Sequence, residues 1–426
     1  MQEGWIERDG VRLHYLEWRP SRLSAWPNLL FLHGLSSNAR IWERVASRLP
    51  GLRMVALDQR SHGPSDRPPA GYTGTELIGD LVKLTQELEL ERPVLVGHSW
   101  GAAVALTFAA THPERTGGLV MVDGPVAALR DRMPWEEASQ RLQPPLPHYR
   151  DLTEAVAAQR SFLADAWGDD LLRFVEAGLV EHADGLVPTL SAPIREQIVR
   201  WLYDLEPRRL FPRTEGPLLL AMAERPWPDA PSSALEWRRR AVEGVRQLRP
   251  DAQVRWYDSP HDIPLVRPAE LALDLERTAV VAAFWSLARE TAALEHGERP
   301  WQRRVHAEGS WEARDLLAHL SSTQAALAGV VASAGEGSQA TGTGQPFDPD
   351  RWNASQLRRR RERTPTELVR ELHAGAVALQ AALMAADLSA RTSIGPQAGR
   401  PLREALEQMY AHQRGHLAEL QAALEP

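Results

Sequence analysis

The sequence predicts an α/β domain carrying a helical insertion, followed by a small all-α bundle. Three observations lead there. Six short apolar, largely β-branched runs alternate with helical patterns across the first 290 residues. That rhythm stops between about 124 and 216, in a stretch rich in proline, tryptophan and charge. After about residue 290 no strand pattern returns, and apolar residues recur at helical spacing instead.

The elements follow in order. "IERDGVRLHYLEW" reads as a hairpin turning at Asp9-Gly10. "NLLFLHG" (28–34), "RMVALD" (53–58), "PVLVGHS" (93–99), "GGLVMVD" (117–123), "PLLLAM" (217–222) and "VRWYD" (254–258) read as strands. Continuous apolar strands bounded by turn residues indicate a parallel sheet covered on both faces. Residues 40–49, 74–89, 101–112 and 265–289 read as the covering helices. The 124–216 insertion, with helical pieces at 151–167 and 169–182, reads as a cap over the sheet's C-terminal edge, where open α/β sheets bind substrates. The first domain is therefore expected over 1–290 and the second over 291–426. In the second, Ser310 is the expected N-cap of a helix over 311–333. "TPTE" (364–367) forms a capping box with Pro365 at N1. A third long helix is expected over 401–424, a fourth over 293–306, and a Gly/Ser/Thr-rich loop over 335–346, which fits a helical bundle.

Composition excludes several classes. With 43% hydrophobic and 25% charged residues the chain is ordinary for a soluble globular protein. A formal charge of −7 offers no basic stripe for nucleic acid. The absence of cysteine excludes disulfides, thiolate catalysis and cysteine metal sites. "MQEGWIERDG" has no apolar core of the kind a signal peptide needs, and no apolar run reaches membrane-spanning length. The expectation is a cytoplasmic protein with a small-molecule substrate. The oligomeric state is not written in the sequence.

Chemistry enters at "LVGHSWGA", where Gly97-His98-Ser99-Trp100-Gly101 forms a G-x-S-x-G pattern between an apolar strand and the small-residue helix "AAVALTFAA". That strand–turn–helix context holds a nucleophilic serine on a strained elbow. A serine hydroxyl needs a base to take its proton. "WYDSPHDIPLVRPAELA" places His261 past the last strand and before a helix. His98 lies on the elbow itself, His112 ends a helix, and His33 ends a strand.

Residues 5–290 resemble the α/β-hydrolase superfamily in its esterase-like branch. The likeness rests on "FLHGLSSNARIW", "ALDQRSHGPSDRP", "LVGHSWGAAVAL" and "SPHDIPLVRPAELA". It implies Ser99 as nucleophile, His261 as general base, and the backbone amides of Leu35 and Trp100 as oxyanion hole. A serine nucleophile separates the chain from the epoxide-hydrolase and dehalogenase members, which attack with aspartate. It favours acyl transfer on a small, fairly apolar ester, thioester or related carbonyl compound, with no cofactor. The usual position of the acid, after the seventh strand, reads "LLLAMAERPWPD", with Pro226 or Trp227 near the expected aspartate. Asp123, at the end of the sixth strand, is therefore the first candidate, followed by Glu224 and Asp229. Trp135, Trp167, Trp201, Phe162 and Phe174 suggest an apolar pocket, or simply the core of the cap. Glu136 and Glu137 are potential amine ligands, as in proline-iminopeptidase-like relatives, or charges stabilising a helix start.

Near the end, "MYAHQRGHLAEL" sets His412 and His416 one helical turn apart on one face. His319, in "WEARDLLAHLSS", borders the apolar stripe of another helix, so three imidazoles can converge between helices. Three histidines with an open position suit a divalent metal such as zinc. His373 and the run "RRRRER" (358–363) read as solvated. Residues about 297–426 resemble the DinB-like four-helix bundles, which include metal- and thiol-dependent transferases and the maleylpyruvate isomerase N-terminal domain. The matching pieces are "SWEARDLLAHL", "DRWNA" (350–354) and "HQRGHLAEL". The resemblance maps that family's metal triad onto His319, His412 and His416. It leaves a metal- or thiol-dependent transferase, or a binding module, as the rival account of the chain. Any thiol would have to come from a small-molecule cosubstrate.

Overall fold

The computed structural model describes residues 1–20, 24–225, 233–295, 299–305, 311–334, 347–393 and 395–425. They form two compact units, Met1–Ala279 and Val280–Pro426. The division falls ahead of the boundary expected after residue 290, inside one continuous helix, Pro268–Ala293. Among the described residues no helix is long and apolar enough to cross a membrane.

The first unit is built on an eight-stranded sheet. Strands β1 (Gln2–Arg8) and β2 (Val11–Trp18) form the expected hairpin, with Asp9 and Gly10 both at positive φ in its turn. They are followed by β3 (Leu29–Leu32), β4 (Met54–Leu57), β5 (Val94–His98) and β6 (Gly118–Val122). A second hairpin, β7 (Leu179–His182) with β8 (Gly185–Pro188), stands apart from the sheet. The chain then returns to it as β9 (Leu218–Ala223) and β10 (Gln253–Tyr257). The sheet order is β1-β2-β4-β3-β5-β6-β9-β10. β2 joins β4 antiparallel, and all pairs from β4 to β10 are parallel. The all-apolar strands β3, β4 and β9 are buried along their whole length, as two covered faces require.

This order positions the site. From β3 the chain goes to β4 on one side and then to β5 on the other, so a topological switch lies between β3 and β5. Ligands bind such sheets at the carboxyl ends of the strands flanking that switch. His33-Gly34-Leu35 leaves β3 there, and Ser99 leaves β5.

The cap is the insertion between β6 and β9. It contains helices Trp135–Leu142, Leu152–Leu163, Leu172–Ala177 and Ala192–Asp204. The helix expected over 169–182 stops at Ala177. The segment beyond Gly178 extends into β7, which pairs with β8 across a turn at 183–184, with Gly185 opening β8 at φ 145°.

The second unit takes its first helix from the end of Pro268–Ala293. Ala288 packs with Leu316, Leu317, Leu320, Leu368, Leu372, Leu420 and Leu424 in one core. Phe284 meets Tyr410 edge-on at 5.5 Å. The other helices are Ala313–Ala332, Pro349–Arg359, Pro365–Ala385 and Leu402–Leu424. The helix expected over 293–306 does not form among the described residues. The chain turns after Ala293, and Arg304 forms a bridge with Glu312. Helix Ala313–Ala332 is capped by Glu312 in a box with Asp315 rather than by Ser310, which lies outside the described residues. The Thr364/Glu367 capping box is as expected. The arginine run is not uniformly solvated. Arg360 is buried and pairs with Glu371 at 2.7 Å, as does Arg363. His373 is exposed, with its ring 4.2 Å from that of Trp285.

Candidate functional site

Ser99 sits between β5 and helix Trp100–Thr111 at φ 53°, ψ −117°, a region that L-residues rarely occupy. The glycines on either side make this possible. A Cβ on Gly97 would come within 2.5 Å of the Ala102 backbone, and one on Gly101 within 2.5 Å of the His33 carbonyl oxygen. Only glycine lets the elbow close onto the β3 turn. Trp100 takes the first helical position, so its amide has no acceptor within the helix.

Histidines build the frame around the elbow. His33 Nδ1 donates to the Gly34 carbonyl at 2.8 Å, and its Nε2 accepts from the Gln59 amide at 3.1 Å. His62 Nδ1 donates to the Arg60 carbonyl and its Nε2 accepts from the Ser36 amide at 3.2 Å. The two rings lie 4.8 Å apart, and His62 stacks on Trp100 at 5.3 Å. Together they brace the Gly34-Leu35-Ser36 turn against the elbow helix. Burial, first of all, holds His62 at a pKa of about 4 and His33 well below the ordinary value, so both are neutral braces.

His261 faces this frame. Its carbonyl accepts from His98 Nε2 at 3.0 Å, and the two rings are 4.7 Å apart. His98 is held neutral, at about 4, by burial and then by the charge of His261. His261 Nδ1 donates to Asp123 Oδ2 at 2.6 Å. Burial opposes protonation of the imidazole, but the hydrogen bond and charge of Asp123 outweigh it and raise the pKa above its usual 6.5. Asp123 shows the converse. Burial favours its neutral form, while His261, Arg238 and the Ala223 amide together hold the carboxyl below its usual range. Asp123 Oδ1 accepts from that amide at 3.1 Å. Asp123 is itself at φ 44°, which swings its side chain off the end of β6.

The three candidate acids therefore separate. Asp123 meets His261, Glu224 pairs with Arg239 at 3.2 Å on the surface, and Asp229 lies outside the described residues with Pro226 and Trp227. Of the cap aromatics, Phe162 is exposed and Trp135 lies under Arg200, its ring 3.3 Å from the guanidinium carbon. Glu137 pairs with Arg141 one turn along its own helix at 2.8 Å, and Glu136 is exposed. Arg238, which supports Asp123, carried no local sequence signal.

In the second unit His319, His412 and His416 come together, with one ring nitrogen of each within 4.8 Å of the others. His319 Nε2 and His412 Nε2 are 3.2 Å apart, and the three rings stand at 80–87° to one another. Two nitrogens each about 2.05 Å from a tetrahedral ion would be about 3.3 Å apart, so the His319–His412 spacing fits a zinc-like cation, with His416 as the third donor of the cluster. His416 Nδ1 donates to Glu419 Oε2 at 2.9 Å, which directs Nε2 inward in the manner of an oriented ligand. Burial, followed by the neighbouring imidazoles, pushes His319 down to about 3 and lowers His412, which keeps both neutral, as ligands must be. The cluster opens on a cavity of ≈ 670 Å³ walled by Trp311, Phe347, Trp352 and Met409. Gln413 also lines it, buried and with neither end of its amide partnered.

An eight-stranded sheet with an elbow serine, a late histidine and a cap inserted after β6 defines the hydrolase class. Residues 27–166 match the α/β hydrolase fold family, and residues 280–421 match the mycothiol maleylpyruvate isomerase N-terminal domain. Over 236 residues the chain is 30% identical to 2-(acetamidomethylene)succinate hydrolase of Mesorhizobium japonicum, covering 54% of this chain and 78% of that protein. Lipase LipV of Mycobacterium tuberculosis is 29% identical over 267 residues, 62% of this chain and 95% of the lipase. The solved structure of E-2-(acetamidomethylene)succinate hydrolase superposes with a TM-score of 0.52 at 25% identity, covering 65% of this chain and 99% of that one. Other relatives are matched over about a third of their length, 35% and 34% for two of them. The chain belongs to the α/β-hydrolase family, is a hydrolase, and carries a C-terminal DinB-like bundle.

Proposed function

We propose that the N-terminal unit hydrolyses a small, fairly apolar ester, thioester or related carbonyl substrate through an acyl-enzyme, in the cytoplasm and without a cofactor. The observation that carries this reading is the 2.6 Å contact between Asp123 and His261 beside an elbow serine at positive φ. Ser99 Oγ attacks the carbonyl carbon while His261 Nε2 takes the hydroxyl proton. Asp123 holds the imidazole in the tautomer with Nδ1 protonated and supports the imidazolium that forms. The amides of Leu35 and Trp100 receive the oxyanion, aided by the positive end of helix Trp100–Thr111. His261 then gives its proton to the leaving group, and deacylation repeats the sequence with water. Cleavage of a carbonyl compound is also what the name of the Mesorhizobium relative states. Glu137 pairs with Arg141, and Glu136, exposed, is the carboxylate on which the alternative reading of a proline-iminopeptidase-like aminopeptidase rests.

For the bundle, His319, His412 and His416 would hold one divalent ion, zinc or similar, with Glu419 orienting His416. Such an ion, when bound, would supply Lewis acidity and lower the pKa of a water or thiol held there. The rival reading places all activity in the bundle and rests on the same histidine cluster. A fluorophosphonate probe should label the wild type, and Ser99→Ala should lose both labelling and ester turnover. Labelling that persists in Ser99→Ala sinks the serine assignment. Metal-dependent transfer to a thiol, with no turnover on an ester, thioester and amide panel, favours the rival.

A further inference from the structure

Arg195 stands in the first turn of the cap helix Ala192–Asp204 and lines a cavity of ≈ 190 Å³ with Ser36, Asn38, Tyr149 and Phe174. Several arginines at or in the cap have carboxylate partners, among them Arg44 with Asp170, Arg130 with Glu206, Arg150 with Glu154 and Arg160 with Asp169, while Arg132 and Arg200 lie over the rings of Trp237 and Trp135. Arg195 has no ion pair among the described residues. One Nη donates to the Pro144 carbonyl at 3.2 Å, while Nε is buried with no partner at all. Burial alone lowers its pKa, and its charge contributes to the depressed pKa of His62. Ser36, whose amide donates to His62 and which is next in sequence to Leu35, lines the same cavity. The rest of the wall includes Gln159 beside the apolar Leu146, Val175 and Leu179.

A guanidinium is always charged, and Arg195 is half-buried with no counterion among the described residues, so an anion beside it is favoured. Its planar fork matches a carboxylate. A small chamber with an unpaired arginine, lined by the residue next in sequence to a candidate oxyanion donor, suits a compact acid anion.

We propose that Arg195 binds a carboxylate of the substrate, so that the hydrolase acts on small acyl compounds bearing one free acid group. The substrate class rests on the Ser99 reading; the anion site does not.

The test compares ethyl hydrogen succinate with ethyl butyrate, near-isosteric esters differing in a carboxylate, by pH-stat. Wild type should favour the anionic ester. Arg195→Gln should lower the anionic-to-neutral ratio of kcat/KM roughly 10- to 100-fold, the scale of a charge-assisted hydrogen bond. Arg160→Gln, on an exposed pair, should leave the ratio unchanged. Succinate binding to Ser99→Ala by calorimetry, with and without Arg195→Gln, reads the anion site apart from catalysis. If neither ester turns over, the serine reading fails while succinate binding still decides Arg195. An unchanged ratio, or succinate binding equal with and without Arg195, overturns the proposal.

Discussion

Arg238 Nη1 lies 3.1 Å from Asp123 Oδ1 and donates to the Ala223 carbonyl at 2.7 Å, so one guanidinium ties the end of β9 to the carboxylate that holds His261. Asp123 thus has three partners: the imidazole, the Ala223 amide and Arg238. Its orientation is fixed before any substrate arrives.

The ranking of the acids follows. Asp123→Asn should reduce kcat by about 10⁴-fold, the scale seen when a triad histidine loses its orienting charge. Glu224→Gln should change kcat less than severalfold, because Glu224 is engaged with Arg239 at the surface. Steady-state kinetics on one ester decides, and the reverse ranking moves the acid to the β9 turn.

The pH profile carries a sign. Hydrolysis needs His261 neutral, and its pKa is raised, so kcat/KM should rise with pH through an acidic limb centred above 6.5. Asp123 raises that pKa and Arg238 lowers it. Residual activity of Asp123→Asn should therefore titrate at lower pH than wild type, and that of Arg238→Gln at higher pH. Shifts in the same direction would mean that the limb belongs to another group.

At the elbow, Gly101→Ala should destabilise the protein by roughly 1–3 kcal/mol or more, the usual cost of overpacking. The added methyl would meet the carbonyls of β3 and its turn rather than a side chain able to rotate away. Thermal unfolding and fluorophosphonate labelling should fall together. Unaltered labelling would show that the turn can yield.

Purified protein should hold about one equivalent of a divalent metal, lost from His412→Ala and His416→Ala. Glu419→Gln should weaken metal binding about 10- to 100-fold, as removal of an orienting partner does. Elemental analysis and competition with a chelator measure both. Ester hydrolysis should be indifferent to chelator, and stoichiometric metal in a His412/His416 double variant would reduce the cluster to packing residues.

What was legible in the sequence was mostly local or ordered along the chain. The elbow is a five-residue pattern, His261 is set by its place after the last strand, and the strands show as uninterrupted apolar runs. Asp123 emerged by elimination, because the commoner position lacked an aspartate. Arg238 and Arg195 were invisible, since each acts through partners on other segments, with charge patterns like those of the exposed arginines around them. Glu419 lies three residues from His416, a spacing that places its carboxylate beside the ring. The missing fourth helix has a plainer cause: the apolar pattern of 265–289 continues without a break, and nothing in it marks where one core gives way to the next.

That unbroken helix has a practical consequence for dissecting the protein. A fragment ending at residue 290 would carry Phe284 and Ala288 stripped of Tyr410 and the leucines that cover them, leaving a sticky apolar strip at its new terminus. A fragment beginning at 291 would lack the same strip and expose the complementary face. Cutting at 279/280 keeps those residues with their neighbours but severs the helix mid-turn. Limited proteolysis should accordingly find few productive sites in this segment. Each half, expressed alone, should be more prone to aggregation than the intact polypeptide.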